Sequence, residues 1–180
     1  MKQLWAPWRL AFVEKAARLS GCIFCEKPAL KRDGTTFILR RGRHAYVIMN
    51  IYPYNNGHLL IAPYRHIAAI EKLPEPVLRD MLRLVQQSLT AIRKAYAPEG
   101  FNIGVNQGKA AGAGIEHHIH LHIVPRWSAD TNFMPLLGET RVLPQHLEAS
   151  YARLKAAFGG KRRTAARPRR KPAPRRSRKS

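Results

Sequence analysis

The sequence predicts an α+β fold in which one long helix and a C-terminal helix accompany an antiparallel sheet of five strands. Residues 35–40, 44–50 and 57–62 are strand-like stretches, and only short turns separate them. Such turns are too short for a crossover helix, so consecutive strands should run antiparallel. After Pro76, apolar residues recur every three or four positions, which predicts the long helix.

Shorter patterns predict the remaining elements. Residues 101–106 predict the fourth strand, residues 116–125 the fifth, and residues 144–158 the closing helix. Residues 3–19 carry two tryptophans around Pro7 and predict a short helix that packs against the body of the protein or against a second subunit. The predicted apolar face of the long helix consists of Val77, Leu78, Met81, Leu82, Val85, Leu89, Ile92 and Tyr96.

Length and composition predict one domain, residues 1–158, with a core of its own. The chain has 180 residues, and 45% of them are hydrophobic. No apolar run approaches the roughly 20 residues that cross a bilayer, and the N-terminus lacks the apolar region of a secretory signal. We therefore expect a cytoplasmic protein without a membrane partner.

The positive charge is concentrated at the C-terminus. The formal net charge is +21, and residues 159–180 hold 11 of the 32 Lys and Arg residues and no acidic residue. This segment has no large apolar side chain, so we expect it to be a disordered tail. Either it is a solvated appendage, or it attracts RNA, DNA or other polyanions without sequence specificity.

The residues that suggest chemistry are three alternating histidines. His118, His120 and His122 have apolar residues between them, so a strand would place all three imidazoles on one face. Imidazole serves near neutral pH as a nucleophile, an acid or base, or a metal ligand. The alternative is a strand whose exposed face happens to be polar, although Ser, Thr or Lys would fill that role without the risk of burying titratable rings.

Two further features suggest binding. Cys22 and Cys25 form a C-x2-C pair, which fits half of a zinc site, although a redox pair or an inert pair stays open. A redox pair should come just after a strand and open a helix, whereas a Lys-Pro dipeptide follows here within three residues. Residues 107–114 form a loop rich in Gly and Ala, whose backbone N–H groups can approach a phosphate.

Three sequence blocks carry a family resemblance. HIHLHIV resembles the histidine triad motif, and GHLLIAPYRH and FNIGVNQG resemble the other blocks of the histidine triad (HIT) family in the expected order, over roughly residues 20–127. NIYPYNNGHLLIAPYRH and HIVPRWSADTNF are similar to the bacterial branch that includes diadenosine tetraphosphate phosphorylases. The resemblance implies paired sheets in a homodimer, which would also cover an open sheet edge.

The resemblance also implies a mechanism. His120 would attack the α-phosphate of a nucleotide and form a nucleotidyl-imidazole intermediate, which water or phosphate then opens. His122 would hold phosphate oxygens and help to protonate the leaving group, and His58 would support the nucleophile. The implied function is a nucleotidyl hydrolase or transferase on a dinucleoside polyphosphate. The alternative is a nucleic-acid-associated nucleotide-binding module whose basic tail supplies the main function.

The remaining site residues are likewise implied by the resemblance. A structural zinc ion would be held by Cys22, Cys25, His66 and His118. The nucleotide would be bound by Asn50 at the ribose, Ile51 at the base, and Asn106, Gln107 and Gly108 at the phosphate. Ile115 stands where several relatives have Ser or Thr, so the phosphoramidase subtype does not follow. His117 is not a family position, and we expect it to point away from His118.

Overall fold

The computed structural model describes residues 21–128, 130 and 145–159. The helix predicted for residues 3–19 lies outside these ranges, and so does the basic tail after Gly159. In the part of the chain that is described, the predicted architecture is confirmed, since five strands form one antiparallel sheet accompanied by helices.

The elements follow one another in nearly the predicted order. The helices are α1 (Ile23–Ala29), α2 (Asp33–Thr36), α3 (Glu75–Tyr96) and α4 (Leu147–Gly159). The strands are β1 (Ile38–Arg41), β2 (Ala45–Met49), β3 (Leu59–Pro63), β4 (Gly100–Val105) and β5 (Leu121–Arg126). Single turns of 3₁₀ helix occupy Ile70–Lys72 and Lys109–Ala111.

The strands lie in the order β1-β2-β3-β5-β4, and every neighbouring pair is antiparallel. The first strand begins at Ile38 rather than at residue 35 as predicted. The hydroxyls of Thr35 and Thr36 donate hydrogen bonds to the carbonyl of Arg32, which stabilises the short helix α2 instead of a strand. Phe37 then reverses the chain with a φ of 60°.

Helix α3 covers one face of the sheet and forms the main core with it. Val77, Met81 and Ile92 are buried there, as predicted. Leu82 was predicted to lie on the same face, but it is 61% exposed. Successive helical residues are about 100° apart, so Leu82 lies beyond the edge of the buried stripe that contains Met81.

Asp80 is a buried acid that ties α3 to the sheet. Its Oδ2 accepts hydrogen bonds from the N–H groups of His44 (2.7 Å) and Ala45 (3.2 Å), and its Oδ1 accepts one from Arg83 (2.7 Å). Burial opposes its ionisation, but the bonds from His44 and Arg83 outweigh burial and lower the pKa of Asp80. A Cβ at position 42 would lie 2.5 Å from Oδ2, which explains Gly42.

Replacing Asp80 with alanine is expected to lower the free energy of unfolding by about 2–4 kcal/mol, because two backbone N–H groups lose their acceptor. The folded-state pKa lies below the unfolded value, so this stabilisation is present above about pH 3.9 and disappears as the pH falls through the folded-state pKa. Urea unfolding at neutral and at acidic pH measures both effects. The control Glu75→Ala removes an exposed ion pair with Arg79 and should cost about 0.5 kcal/mol or less. Equal losses of unfolding free energy in Asp80→Ala and Glu75→Ala would contradict this role of Asp80.

The two edges of the sheet differ. At β1, the amine of Lys155 donates hydrogen bonds to the carbonyls of Ile38 (3.3 Å) and Leu39 (2.9 Å), so α4 covers that edge. At β4, the other edge, Ile103 is 47% exposed, and no further strand among the described residues pairs with it. The face opposite α3 carries a smaller apolar cluster around Phe24 and Tyr46, next to the histidines.

Candidate active site

The three alternating histidines lie at the start of β5, on the face opposite α3. The strand begins at Leu121, so His118 and His120 precede it, whereas the pattern predicted one strand through all three. Continuing the β3–β5 register would set Ile119 opposite Pro63, which has no N–H for the ladder. The N–H of Ile119 donates instead to the carbonyl of Ile67 at 2.6 Å.

The predicted alternation of faces nevertheless holds. Ile119 and Ile123 are buried in the core beneath α3. His120 and His122 lie on the other face, with ring centroids 4.9 Å apart. Phe24, between the two cysteines, packs against the ring of His120 with a centroid distance of 4.7 Å.

His120 is held in one tautomer. It is 5% exposed, and its Nδ1 lies 2.9 Å from the carbonyl oxygen of His118. A carbonyl oxygen can only accept, so Nδ1 carries the proton and the lone pair is on Nε2. Burial lowers the pKa of His120, which keeps the ring neutral at neutral pH. The arrangement provides a neutral imidazole whose Nε2 can act as a nucleophile.

His122 is oriented by His58, which is 1% exposed. The N–H of Tyr54 donates to Nδ1 of His58 at 3.0 Å, so the proton of neutral His58 lies on Nε2. Nε2 of His58 is 3.0 Å from Nδ1 of His122 and donates to it. Neutral His122 therefore carries its own proton on Nε2, where it can donate a hydrogen bond to a leaving group.

Four side chains from three distant parts of the sequence form a group that can hold a metal ion: Cys22, Cys25, His66 and His118. Their ligand atoms all lie within 4.8 Å of one another. Nδ1 of His118 is 3.2 Å from Sγ of Cys22, and Nδ1 of His66 is 3.3 Å from Sγ of Cys25. Tetrahedral zinc bonds of about 2.0–2.3 Å place neighbouring ligand atoms roughly 3.5 Å apart, so the group fits zinc.

The surroundings of this group also suit a metal ion. Nε2 of His118 lies 3.0 Å from the carbonyl of Pro63 and donates to it, which leaves Nδ1 as the coordinating nitrogen. Burial lowers the pKa of His118 to about 4, so the ring is neutral, as a ligand must be. All four ligand places are filled by protein atoms, which is typical of a structural site.

The redox alternative for the cysteines is less well supported. Cys22 does stand at the start of a helix, α1, which the sequence argument did not expect. However, two imidazole nitrogens lie within 3.5 Å of the two thiol sulfurs, and this arrangement of four ligand atoms suits metal binding better than redox chemistry.

Two neighbouring positions need comment. His117 was expected to point away from His118 on a strand, but it lies in a turn with its ring 5.6 Å from that of His66. It is exposed and does not belong to the group of four ligands. Ile115 is half-buried and packs against the apolar cluster around Phe24.

The residues predicted to contact the nucleoside lie at the end of β2. The N–H of Asn50 donates to the carbonyl of His58 at 3.1 Å, and the side chain of Asn50 lies 3.3 Å from Nδ1 of His58. Ile51 follows in a bend and is half-buried. Both positions therefore adjoin the residue that orients His122, and their contact with a nucleoside stays a prediction.

The three residues predicted to contact phosphate do not all lie at the same place. Asn106 lines a cleft together with His122. Gln107 turns elsewhere, because its amide accepts from the N–H of Ile70 (2.8 Å) and donates to Glu71 (3.0 Å). Gly108 has a φ of 82°, which glycine adopts readily, and it precedes the turn Lys109–Ala111. Of the three residues, only Asn106 lines this cleft, which His122 also lines.

The cleft has a volume of about 430 Å³ and runs along β4 and β5 beyond His122. Its lining includes polar residues that the sequence argument did not single out: Tyr54, Asn55, Asn102, Arg126 and Asp130. Tyr54 is parallel to His122, with an interplanar angle of 4° and centroids 6.2 Å apart. A cleft of this size beside paired imidazoles suits a nucleotide-sized ligand.

Two imidazoles held in fixed tautomers lie on one face of a five-stranded sheet, and a Cys/His group lies beside them. This arrangement is typical of a class of enzymes in which histidine takes part in the reaction. The model of the HIT domain family matches residues 31–129. A relative named AP-4-A phosphorylase, from Mycobacterium tuberculosis, is 34% identical over 82% of this chain and 79% of its own length. The chain therefore belongs to the HIT family.

Other relatives agree with this assignment. An adenylylsulfatase from Arabidopsis thaliana is 35% identical over 66% of this chain and 58% of its own length. A zinc-bound histidine triad family protein from Mycobacterium smegmatis has a similar structure, with a TM-score of 0.61 and 28% identity over 77% of this chain and 93% of its own. The protein is a HIT-type enzyme of the nucleotide hydrolase and phosphorylase class. In the described ranges, every helix is too short or too polar to cross a bilayer.

Proposed function

We propose that the protein cleaves a dinucleoside polyphosphate such as diadenosine tetraphosphate at the α-phosphate, through a nucleotidyl-His120 intermediate. The observation that carries this proposal is the 2.9 Å contact between Nδ1 of His120 and the carbonyl of His118, which leaves the lone pair on Nε2. The relative named AP-4-A phosphorylase supports the choice of substrate.

The first step transfers the nucleotidyl group to the protein. Nε2 of His120 attacks the α-phosphorus, and the bond to the leaving phosphate oxygen breaks while Nε2–H of His122 donates a hydrogen bond to that oxygen, which departs as an anion. The ring of His120 becomes cationic. Its Nδ1–H bond to the His118 carbonyl stabilises that charge.

The second step returns the histidines to their starting state. Water or inorganic phosphate attacks the α-phosphorus, and the N–P bond to His120 breaks, which returns His120 to its neutral form with the proton on Nδ1; the extra proton of an attacking water is released to solvent. In this proposal Asn50 and Ile51 bind the nucleoside, and Asn106, Gln107 and Gly108 bind phosphate. Gln107 must leave its bonds to Ile70 and Glu71 to do so.

Incubation with diadenosine tetraphosphate, with and without inorganic phosphate, tests this function and identifies the acceptor. Hydrolysis at the α-phosphate gives AMP and ATP, whereas phosphorolysis gives ADP and ATP. Chromatography of the products distinguishes the two. An absence of both product sets at high enzyme concentration would refute the proposal.

We also propose that Cys22, Cys25, His66 and His118 hold one structural zinc ion per chain. The ion would supply folding stability by joining α1 to the segment before β5. His118 belongs to this group and its carbonyl also orients His120, so the metal group and the nucleophile share one segment.

We propose a cytoplasmic homodimer that forms through the edge of β4. Ile103 is 47% exposed on this strand, and a dimer contact would cover both its side chain and the unpaired backbone groups. Light scattering at micromolar concentration should give twice the mass of one chain, and Ile103→Lys should shift the protein towards the monomer. A wild-type monomer would contradict the dimer.

Removing residues 159–180 is expected to leave turnover of a small dinucleotide within about twofold, because we assign the active site to residues 1–158. The tail carries 11 positive charges, so the same truncation should weaken any binding to RNA or DNA, most strongly at low salt. Steady-state kinetics and electrophoretic mobility shifts measure the two effects. Loss of turnover at saturating substrate would show that the domain boundary is wrong.

A further inference from the structure

Asn55 and Asp130 form a partly buried polar contact beside the active site. The side chain of Asp130 is 7% exposed, and it accepts hydrogen bonds from Arg126 (2.8 Å) and from the N–H of Trp127 (3.1 Å). The side-chain amide of Asn55 donates to Asp130 (3.0 Å) and to the carbonyl of Pro125 (3.2 Å). These bonds fasten residues 50–57 to the end of β5.

The fastened segment is the one that orients His58. The carbonyl of Asn55 accepts the N–H of His58 at 3.2 Å. The N–H of the preceding residue, Tyr54, donates to Nδ1 of His58 at 3.0 Å. The Asn55 amide therefore fixes the backbone on which the donor to His58 depends.

Two donors reach Nδ1 of His58, namely Tyr54 N–H at 3.0 Å and the side-chain amide of Asn50 at 3.3 Å, and the shorter bond comes from Tyr54. While Nδ1 is occupied, Nε2 of His58 must donate to Nδ1 of His122. If Tyr54 moves away, only the longer contact of Asn50 opposes the reverse arrangement, in which Nε2 of His58 accepts a hydrogen bond from Nδ1–H of His122. Nε2 of neutral His122 would then have no proton to donate in a hydrogen bond to a leaving group.

We propose that Asn55 and Asp130 are positioning residues that keep the proton of His122 on Nε2, by holding Tyr54 N–H against His58. The effect of this positioning on catalysis rests on the proposed function, whereas the tautomer of His122 does not depend on it. Neither residue needs to touch the substrate for this role.

Nitrogen-15 NMR of the histidine rings tests the tautomer in the full-length protein without substrate. In the wild type, both His58 and His122 should show protonated Nε2 and unprotonated Nδ1. In Asn55→Ala and Asp130→Ala, a substantial population of the opposite tautomer should appear on both rings, and the double variant should resemble either single variant because they act through one contact. Asp33→Ala, which removes the Arg41–Asp33 pair at the opposite edge of the sheet, should leave the tautomers unchanged.

A leaving-group comparison tests the consequence for catalysis. Single-turnover cleavage of the phenyl ester of AMP depends on the Nε2–H donor of His122 more than cleavage of the 4-nitrophenyl ester, because phenolate is the more basic leaving group. The Asn55 and Asp130 variants should therefore lose at least about tenfold in rate with the phenyl ester and much less with the 4-nitrophenyl ester. If Asp130→Ala does not fold, Asp130→Asn keeps the shape and should show the same changes to a smaller degree.

The outcomes separate the two proposals. Wild-type tautomers in folded Asn55→Ala and Asp130→Ala, or equal losses with both esters, would overturn the positioning role. A wild-type protein that shows the expected tautomers but turns over no nucleotide would refute the proposed function and leave the positioning of His122 intact.

Discussion

Replacing His120 with asparagine is expected to lower kcat by about four orders of magnitude or more, while nucleotide binding stays close to that of the wild type. The loss should fall on kcat because the imidazole Nε2 forms the bond to phosphorus, whereas binding contacts come from other residues. Steady-state kinetics on diadenosine tetraphosphate and calorimetric titration with a non-cleavable analogue measure the two quantities. Asparagine keeps a hydrogen-bond donor near the His118 carbonyl and so limits structural change.

Two further variants sharpen this prediction. His122→Ala should lower kcat and also weaken binding, because we assign this ring to phosphate binding as well as to hydrogen-bond donation to the leaving oxygen. His117→Ala should keep nearly full turnover, since that ring is exposed and lies near His66 rather than near the nucleophile. Retained turnover in a His120→Ala protein would contradict the mechanism, and only a nucleotide-binding role would be left.

Replacing Cys22 with serine is expected to remove most of the bound zinc and to lower the melting temperature by at least about 10 °C. The wild-type protein should hold about one zinc ion per chain, and a structural ion contributes its binding free energy to folding. Metal analysis under reducing conditions and thermal unfolding monitored by circular dichroism measure both effects. Chelation of the wild-type protein should reproduce the lower melting temperature.

His117→Ala is the matched control for the zinc prediction, because it removes an imidazole next to His66 that lies outside the group of four ligands. It should retain the metal and its melting temperature. A wild-type protein that contains no zinc, or a Cys22→Ser protein as stable as the wild type, would contradict the assignment.

The sequence predicted those features that depend on local periodicity. The alternation around His120 assigned the imidazoles and the isoleucines to opposite faces correctly, since side-chain direction depends only on an extended backbone. It could not predict where β5 starts, because that depends on Pro63, a residue of another strand. The buried Asp80 was missed for a similar reason, since its partners, the N–H groups of His44 and Ala45, lie at the start of β2, far away in the sequence.

Functional contacts between distant segments were predicted only where a family motif identified them. The grouping of Cys22 and Cys25 with His66 and His118 came from the resemblance to the HIT family, and the structure brings all four together. Asn55 and Asp130 are 75 positions apart and follow no periodic pattern, so nothing in the sequence linked them. The role of such polar loop residues can be inferred only when the tertiary structure shows which groups they hydrogen-bond.

The most direct test of the account is detection of the covalent intermediate. Wild-type protein that is denatured without acid during turnover of diadenosine tetraphosphate should show, by intact mass spectrometry, an acid-labile addition of one nucleotidyl group. Peptide mapping should locate this addition on His120, and the His120→Asn protein should lack it. Turnover without any adduct, or an adduct on another residue, would contradict the central claim that His120 is the nucleophile.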